Sequence, residues 1–225
     1  MARILVRART LDLLGRQQMA SIPNALHELY KNAHDAYADN AVADYYRADG
    51  ILTLRDDGVG MTEEDFCDRW LTIGTESKVQ DGSMPPPYKD PRKAFRHALG
   101  AKGIGRLAIA SIGPQVLILS RAERDDGLQE MVVSFINWVF FEIPGLNLDA
   151  VDIPLLTVPV GSLPDARDLQ TLVERVRNNL SVLTSQNADY QIRIEEGLAA
   201  FSTAIPKIVA LVRDMPLATA RGSAF

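Results

Sequence analysis

Three polar side chains in one short stretch have the residue types and the spacing to do chemistry. Glu28, Asn32 and Asp35 are separated by four and three residues, so a helix would place all of them on one face. A carboxylate and a carboxamide one turn apart can hold a hydrated Mg²⁺ ion and polarise a water molecule. The alternative is the solvated polar face of an ordinary amphipathic helix, and this stretch alone leaves both interpretations open.

A second chemical group follows a predicted strand. Residues 51–55 predict a strand that runs into Asp56, and Gly58 and Gly60 supply the backbone freedom that a tight turn needs. The Asp56 carboxylate can accept a hydrogen bond from an exocyclic amine, while the glycines and Met61 let the backbone approach a flat ring. An Asp-x-Gly-x-Gly turn is also an ordinary hairpin signal, so the pattern has little weight by itself.

A third group is a glycine loop that opens a helical segment. Gly100, Gly103 and Gly105 precede an apolar run at residues 107–112, which offers unpaired amides and a helix dipole to a phosphate. Lys102 adds a cation inside the loop. A long proline-rich stretch precedes this loop where a dinucleotide-binding unit would have a strand, which argues against a Rossmann domain.

The hydrophobic pattern indicates the elements that would position these groups. Residues 22–38 predict a helix with Ser21 as the N-cap, Pro23 in the first turn and an apolar stripe on one side. Further strands are predicted at 115–121, 131–141 and 153–158, and helices at 164–183 and in the last part of the chain.

Composition narrows the class of protein. A chain of 225 residues that is 47% hydrophobic can bury a real core, and a net charge of -5 excludes a strongly basic whole-protein footprint for nucleic acid. The single cysteine, Cys67, excludes an internal disulfide framework. The sequence has neither a secretory signal nor a span for a bilayer, so we expect a cytoplasmic protein without membrane contact.

In their order and spacing, these groups resemble the GHKL superfamily of ATP-binding domains. That superfamily includes gyrase-type topoisomerases, ninety-kilodalton heat-shock chaperones, histidine kinases and MutL-type repair proteins. Residues 28–36 resemble its N-box, 56–62 its adenine box, 73–78 the start of its ATP lid and 100–105 the glycine box that closes the lid. The resemblance covers about residues 17–118 and is nearest to the MORC-like and heat-shock-type branches.

The resemblance implies an α+β fold. This would be a two-layer sandwich of the Bergerat type, with a mixed, mostly antiparallel sheet, helices on one face and a mobile lid over about residues 74–105. We expect the ATP-binding domain at residues 1–163 and a helical extension at 164–225, interpreted as a partial transducer region.

The resemblance also implies residue roles. Glu28 would be the general base, Asn32 the Mg²⁺ ligand, and Asp56 the acceptor for the adenine amine. Asp35 would contact the nucleotide through water or cap local structure. The other nucleotide-binding residues that the resemblance implies are Gly58, Gly60, Met61, Lys78, Gly100, Lys102, Gly103 and Gly105.

Relatives usually carry a Gly-Thr pair on a late strand that forms the floor of the adenine pocket. Thr157 and the Gly161-Ser162 pair are the candidates that this sequence suggests, and neither is a clean match. A basic cluster near the glycine box would steer ATP or, less simply, contact nucleic acid. Its members are Arg92, Lys93, Arg96, His97, Lys102 and Arg106.

The implied function is Mg²⁺-dependent ATP binding with slow hydrolysis that drives lid closure and homodimerisation. Such a module would act as an ATP-gated clamp or chaperone-like module on a protein client or on DNA. Two alternatives stay open: a phosphotransferase of the histidine-kinase type, which Glu28 argues against, and an ATP-sensing module without hydrolysis.

Overall fold

A six-stranded antiparallel sheet organises the structure, a computed structural model that describes residues 6–18, 21–73, 88–99, 105–183 and 185–225. The strand order is β1-β2-β6-β3-β4-β5, and every neighbouring pair is antiparallel. The strands are β1 (Ala41–Tyr46), β2 (Ile51–Asp56), β3 (Gln115–Arg124), β4 (Gly127–Asn137), β5 (Leu155–Val158) and β6 (Gly222–Ala224).

Five α-helices and several short helical turns surround this sheet in the described ranges. The α-helices are α1 (Arg9–Gln18), α2 (Ile22–Asp35), α3 (Glu63–Asp65), α4 (Ala166–Asn178) and α5 (Ala188–Arg213). A π-helix (Phe66–Trp70) continues α3, and a 3₁₀-helix covers Gly105–Ser111. The helix predicted at 22–38 is confirmed with an earlier end. None of the helices in the described part of the chain is long and apolar enough to cross a membrane.

The two faces of the sheet pack against different helices. Successive strand residues point to opposite faces, and on β4 Met131 and Val133 join a core with α4 and α5. Between them, Val132 joins a second core with α1, α2 and the 3₁₀-helix. The α+β class and the antiparallel pairing are thus confirmed. The prediction placed helices on one face, and α4 and α5 add a layer on the other because their apolar stripes also need burial.

Strand β6 lies at the centre of the sheet. Its Ser223 is in register with Asp56 of β2 on one side and with Ser120 of β3 on the other. The predicted boundary at residue 163 stays a prediction, but the segment beyond it supplies both α4 and α5 and this central strand. The hydrophobic pattern did not predict β6, because a strand of three small residues has no periodicity to detect.

A buried arginine fixes the segments of the chain that lead into β6. Arg121 of β3 is 0% exposed, and the lack of water lowers the pKa of its guanidinium. Its side chain donates hydrogen bonds to four backbone carbonyls, those of Leu217, Gln129, Pro159 and Ser162. Arg121 therefore ties the turn before β6 and the loop after β5 to the middle of the sheet.

Gly222 should be the least replaceable residue of β6. Its φ is +143°, and a Cβ atom there would overlap the backbone carbonyl of Asp56. We expect Gly222→Ala to lower the free energy of unfolding by about 3 kcal/mol or more, because steric overlap adds to backbone strain. Urea denaturation measures this cost.

Gly161 offers the matched control for that substitution. It also has a positive φ, +85°, but a Cβ atom there would meet nothing within 4 Å. Gly161→Ala should therefore cost only about 1 kcal/mol, the backbone strain alone. Equal costs for the two alanine variants would contradict the tight approach of β6 to β2.

Candidate functional site

Helix α2 carries the first predicted group of site residues. It begins after Ser21, with a proline in its first turn, and buries Ala25, Leu29 and Ala33 against the sheet. On its more open surface, Glu28 is partly buried and Asn32 is exposed. The helix thus presents these two side chains on one face, as their spacing predicts, while their chemical roles stay predictions.

Glu28 makes two different contacts with its two oxygens. Its Oε1 accepts a hydrogen bond from Lys31 Nζ at 2.6 Å, within an ion pair one turn along the helix. Its Oε2 lies beside Gly105, where a Cβ atom would come within 2.9 Å of that oxygen. Gly105, the last residue of the predicted glycine box, therefore reaches the carboxylate because it has no side chain.

The other four members of the predicted phosphate-binding set cannot be placed. Gly100, Lys102 and Gly103 lie outside the described residues, and so does Lys78 with the rest of the predicted lid start at 74–78. Their assignment to the phosphates stays a prediction.

Asp35 connects α2 to the chain that leads into the glycine box. Its Oδ1 accepts a hydrogen bond from the backbone amide of Leu99 at 2.7 Å and lies 3.3 Å from His34 Nδ1. The predicted water-mediated nucleotide contact of Asp35 is not tested by this geometry. The observed contact gives the carboxylate a structural role as well.

The adenine box forms a turn between α2 and β3. The Val59 amide donates to the Ala36 carbonyl at 2.8 Å, and a Cβ atom on Gly58 would come within 2.9 Å of the Ala36 side chain. Gly60 has a φ of +65°, and a Cβ atom there would overlap the Arg121 carbonyl. Both glycines are thus required for steric reasons, and the turn packs closely against the C-terminal end of α2.

Asp56 is a partly buried carboxylate at the end of β2. Burial raises the pKa of Asp56 to about 6, hydrogen bonds from the backbone of Gly58 and Ser223 oppose the shift, and the charge of Asp57 adds to it. Its Oδ1 accepts the Gly58 amide at 2.8 Å. The carboxylate thus has backbone donors but no cationic partner in the described part of the chain, as a site for an amine donor requires.

Asp57, the next residue, is in a different environment. Its carboxylate accepts hydrogen bonds from the backbone amides of Asp39 and Asn40 and from the Asn40 side chain. Burial acts to raise the pKa of Asp57, but these hydrogen bonds outweigh it and the pKa is lowered. Asp57 therefore holds the start of β1 against the end of β2.

Two serines that the sequence analysis missed lie in register with Asp56 on the next two strands, β6 and β3. Ser223 of β6 and Ser120 of β3 lie 2.8 Å apart through their hydroxyl oxygens. The Ser120 oxygen also accepts the backbone amide of Met61 at 2.8 Å. Ser223 thus lies beside Asp56, and Ser120 joins it to Met61, the residue predicted to wall the base.

The two candidates that the sequence suggests for the floor, Thr157 and Ser162, do not lie on a strand next to β2. Thr157 is exposed on β5, four strand positions from β2, which corresponds to roughly 19 Å across the sheet. Ser162 lies in the loop that Arg121 holds. The Gly222-Ser223 pair was the available signal, but only the strand order identifies it as a neighbour of Asp56.

Ion pairs fix residues 88–99, the described part of the predicted lid, beside the adenine turn. Asp90, 2% exposed, pairs with Arg92 and with Arg221, the residue before β6. Arg92 and Arg221 also reach Glu123 at the end of β3. The hydrogen bond from Arg92, aided by Arg221, keeps the pKa of Asp90 well below its ordinary value although burial acts the other way.

The same segment is held at the end of α2. Lys93 pairs with Asp39 at 2.6 Å and donates to the Tyr37 carbonyl, and Arg96 pairs with Asp39 at 3.0 Å. Arg92, Lys93 and Arg96 thus have intramolecular carboxylate partners. Their predicted role in steering ATP or contacting nucleic acid is weakened, because these charges are already neutralised locally.

The donor groups of the described residues suit a Mg²⁺ ion that is bound together with a nucleotide. No three histidine, cysteine or acidic side chains come together there as a metal cluster. Nucleotide-bound Mg²⁺ does not need one, since it keeps several waters and takes one or two protein oxygens together with phosphate oxygens. Asn32, exposed and one turn from Glu28, has no side-chain hydrogen bond within the described ranges, so its carboxamide fits that donor set.

The fold and this site define an α+β domain of the ATP-binding class. The family model described as "Histidine kinase-, DNA gyrase B-, and HSP90-like ATPase" matches residues 20–152, more than half of the chain. The chain belongs to this family, so the predicted GHKL membership is confirmed and ATP is supported as the ligand. A comparison with curated proteins found no match.

The opposite pKa shifts of Asp56 and Asp57 predict opposite effects of their substitution on the stability of the protein. The raised pKa of Asp56 means that the folded protein binds more protons than the unfolded chain between about pH 4 and 6. Stability contributed by this group is therefore lost as the pH rises through that window. At pH 7.5, Asp56→Asn should increase the free energy of unfolding of the nucleotide-free protein, by at most about 2 kcal/mol because part of the group is in solvent.

Asp57→Asn is the control, and it should lower stability at pH 7.5 because the pKa of Asp57 is shifted down. Urea titrations at pH 4 and pH 7.5 measure both variants. A destabilised Asp56→Asn protein at pH 7.5 would contradict the unfavourable burial of this carboxylate.

Proposed function

We propose that the protein binds ATP with its adenine at Asp56 and its triphosphate at Glu28 and Gly105. The observation that carries this proposal is the position of both groups along one helix. The adenine turn contacts Ala36, and Gly105 contacts Glu28. These helix positions are about 12 Å apart at the rise of an α-helix, a length that suits an extended nucleoside triphosphate.

The proposed selectivity for adenine rests on the Asp56 carboxylate. An ionised carboxylate only accepts hydrogen bonds, so it favours the exocyclic amine of adenine. Guanine presents a carbonyl oxygen at that position and would be repelled. Gly58 and Gly60 let the turn pack closely against Ala36 and Arg121, and the Gly58 amide holds one oxygen of the carboxylate in place.

We further propose slow hydrolysis, with Glu28 as the general base. Its Oε2, on the side of Gly105, is the oxygen suited to orient and deprotonate the attacking water. Asn32 would hold Mg²⁺, which when bound neutralises charge on the phosphates. Positioning of the water and charge neutralisation supply most of what phosphoryl transfer requires.

Nucleotide-dependent lid closure and homodimerisation complete the proposed cycle, in a clamp or chaperone-like module for a protein client or DNA. We assign the chain to the MORC-like and heat-shock-type branches on its 103–107 sequence run. The contacts of residues 88–99 with α2, β3 and β6 support a coupling between the pocket and this part of the lid.

A module that senses ATP without hydrolysing it is the second candidate. One observation favours it: Lys31 already occupies an oxygen of Glu28 at 2.6 Å. With one oxygen held by Lys31, the carboxylate has less acceptor capacity left for the attacking water.

Phosphate release by three variants tests the proposed function. Glu28→Ala should keep ATP affinity within about threefold of the wild type and lose turnover by about a hundredfold or more, the usual contribution of a general base. Asp56→Asn should lose about tenfold to a hundredfold in ATP affinity, because a charge-assisted hydrogen bond is removed. Glu174→Ala, at an exposed acid of α4, is the control and should behave as wild type.

If the Glu28→Ala variant releases phosphate at the wild-type rate, the assignment of Glu28 as the general base is refuted. If the wild type and the Glu28→Ala and Glu174→Ala variants all bind ATP tightly and none releases phosphate, the sensing module is supported instead.

The pH dependence of adenosine binding tests the contact between adenine and Asp56 separately from the phosphate contacts. Adenosine has no phosphate that titrates in this range, so the pKa of Asp56, about 6, should govern the profile. Affinity should be constant above pH 7 and fall as Asp56 is protonated below pH 6, because a protonated carboxyl no longer accepts through both oxygens. Calorimetry from pH 5 to pH 8 measures the profile, and Asp56→Asn should flatten it. A flat wild-type profile would place adenine elsewhere.

A further inference from the structure

Arg106 differs from the other described arginines and the lysine of the basic cluster. Arg92, Lys93 and Arg96 each pair with a carboxylate of this chain. The Arg106 guanidinium donates to the backbone carbonyl of Arg69, and in the described part of the chain it has no carboxylate partner. Burial alone lowers the pKa of Arg106, to about 10.

Arg106 is half-buried, and a guanidinium that is partly removed from water without an opposite charge is unfavourable, so its position needs an explanation. Arg121 shows one solution, since its side chain is used on four backbone carbonyls that it braces. Arg106 makes one such hydrogen bond, through Nη1. No described residue accepts a hydrogen bond from its Nε or its Nη2.

The location of Arg106 indicates which acceptor that is. It follows Gly105, whose Cα approaches the Glu28 carboxylate, in the first turn of the 3₁₀-helix. A planar guanidinium with two free donor edges matches the oxygens of a phosphate group. The bond to the Arg69 carbonyl restrains the side chain before any ligand arrives.

We propose that Arg106 binds the phosphates of the nucleotide and that the bound phosphates supply the counter-charge that the chain itself lacks. This inference rests on the proposed ATP site and adds a specificity residue to it. Arg106 would favour nucleotides over nucleosides, while Asp56 selects the base. Its contribution is to binding and does not depend on turnover.

The test compares ligands that differ only in their phosphates. Binding of ATP, ADP and adenosine is measured by calorimetry, with and without Mg²⁺, for wild type, Arg106→Met and Arg106→Lys. Arg106→Met should lose about tenfold to a hundredfold in affinity for ATP and ADP, the range for a hydrogen bond to a charged group, and bind adenosine within twofold of wild type. Arg106→Lys should recover part of the loss, since it restores the charge without the planar fork.

The thermal midpoint of the nucleotide-free protein separates this role from a structural one. A phosphate-binding Arg106 predicts an unchanged or higher midpoint for Arg106→Met, because an uncompensated buried charge is removed, and a smaller upward shift on adding ATP. Arg193→Met is the matched control: Arg193 pairs with Glu142 on the α5 side of the sheet, and its loss should leave all three affinities unchanged.

The outcomes distinguish the inference from the proposed function. Failure of the wild type to bind ATP would refute the ATP site itself. Wild-type ATP binding with unchanged affinity in Arg106→Met would overturn the role of Arg106 alone. Equal losses for ATP and adenosine, together with a lower midpoint, would identify Arg106 as a brace for the Arg69 carbonyl and would also overturn the inference.

Discussion

The backbone pairing of a three-residue strand holds the two parts of the sheet together. Strand β6 has the β1–β2 hairpin on one side and the β3–β5 meander on the other, so the sheet is continuous only through it. Three residues provide few hydrogen bonds. Their position therefore depends on side chains: Arg121 anchors the preceding turn, and the hydroxyl groups of Ser120 and Ser223 meet below the pocket.

This constraint explains how a nucleotide site can combine distant parts of the sequence. Asp56 acquires its surroundings from β6, because Ser223 lies opposite it and Gly222 leaves room for its carbonyl. The cost is electrostatic, since a carboxylate enclosed by backbone and small side chains is less stable in its charged form. Asp90, which two arginines neutralise, shows that the chain can compensate a buried acid where no ligand needs it.

The parts that the sequence predicted are local, and the parts that it did not predict are long-range. Helix α2 follows from a 3.6-residue apolar period, and the adenine turn from a strand that meets two glycines. The pairing of Ser120 with Ser223 spans 103 residues, and no local pattern encodes it. Thr157 was a reasonable candidate by residue type, but its place in the sheet depends on a strand order that the sequence does not specify.

The charged groups that lack an ion-pair partner would determine the orientation in which a nucleotide binds. Around the adenine turn, Arg92, Lys93 and Arg96 are matched by Asp39, Asp90 and Glu123, so these three cations leave little net field. Asp56 at one end of α2 and Arg106, after Gly105 near the other, have no ion-pair partner within the described ranges. ATP carries an amine at its base and negative charge on its phosphates. A carboxylate and a guanidinium at opposite ends would therefore orient the nucleotide, because the reversed arrangement would bring the phosphates to Asp56 and leave both buried charges without a partner.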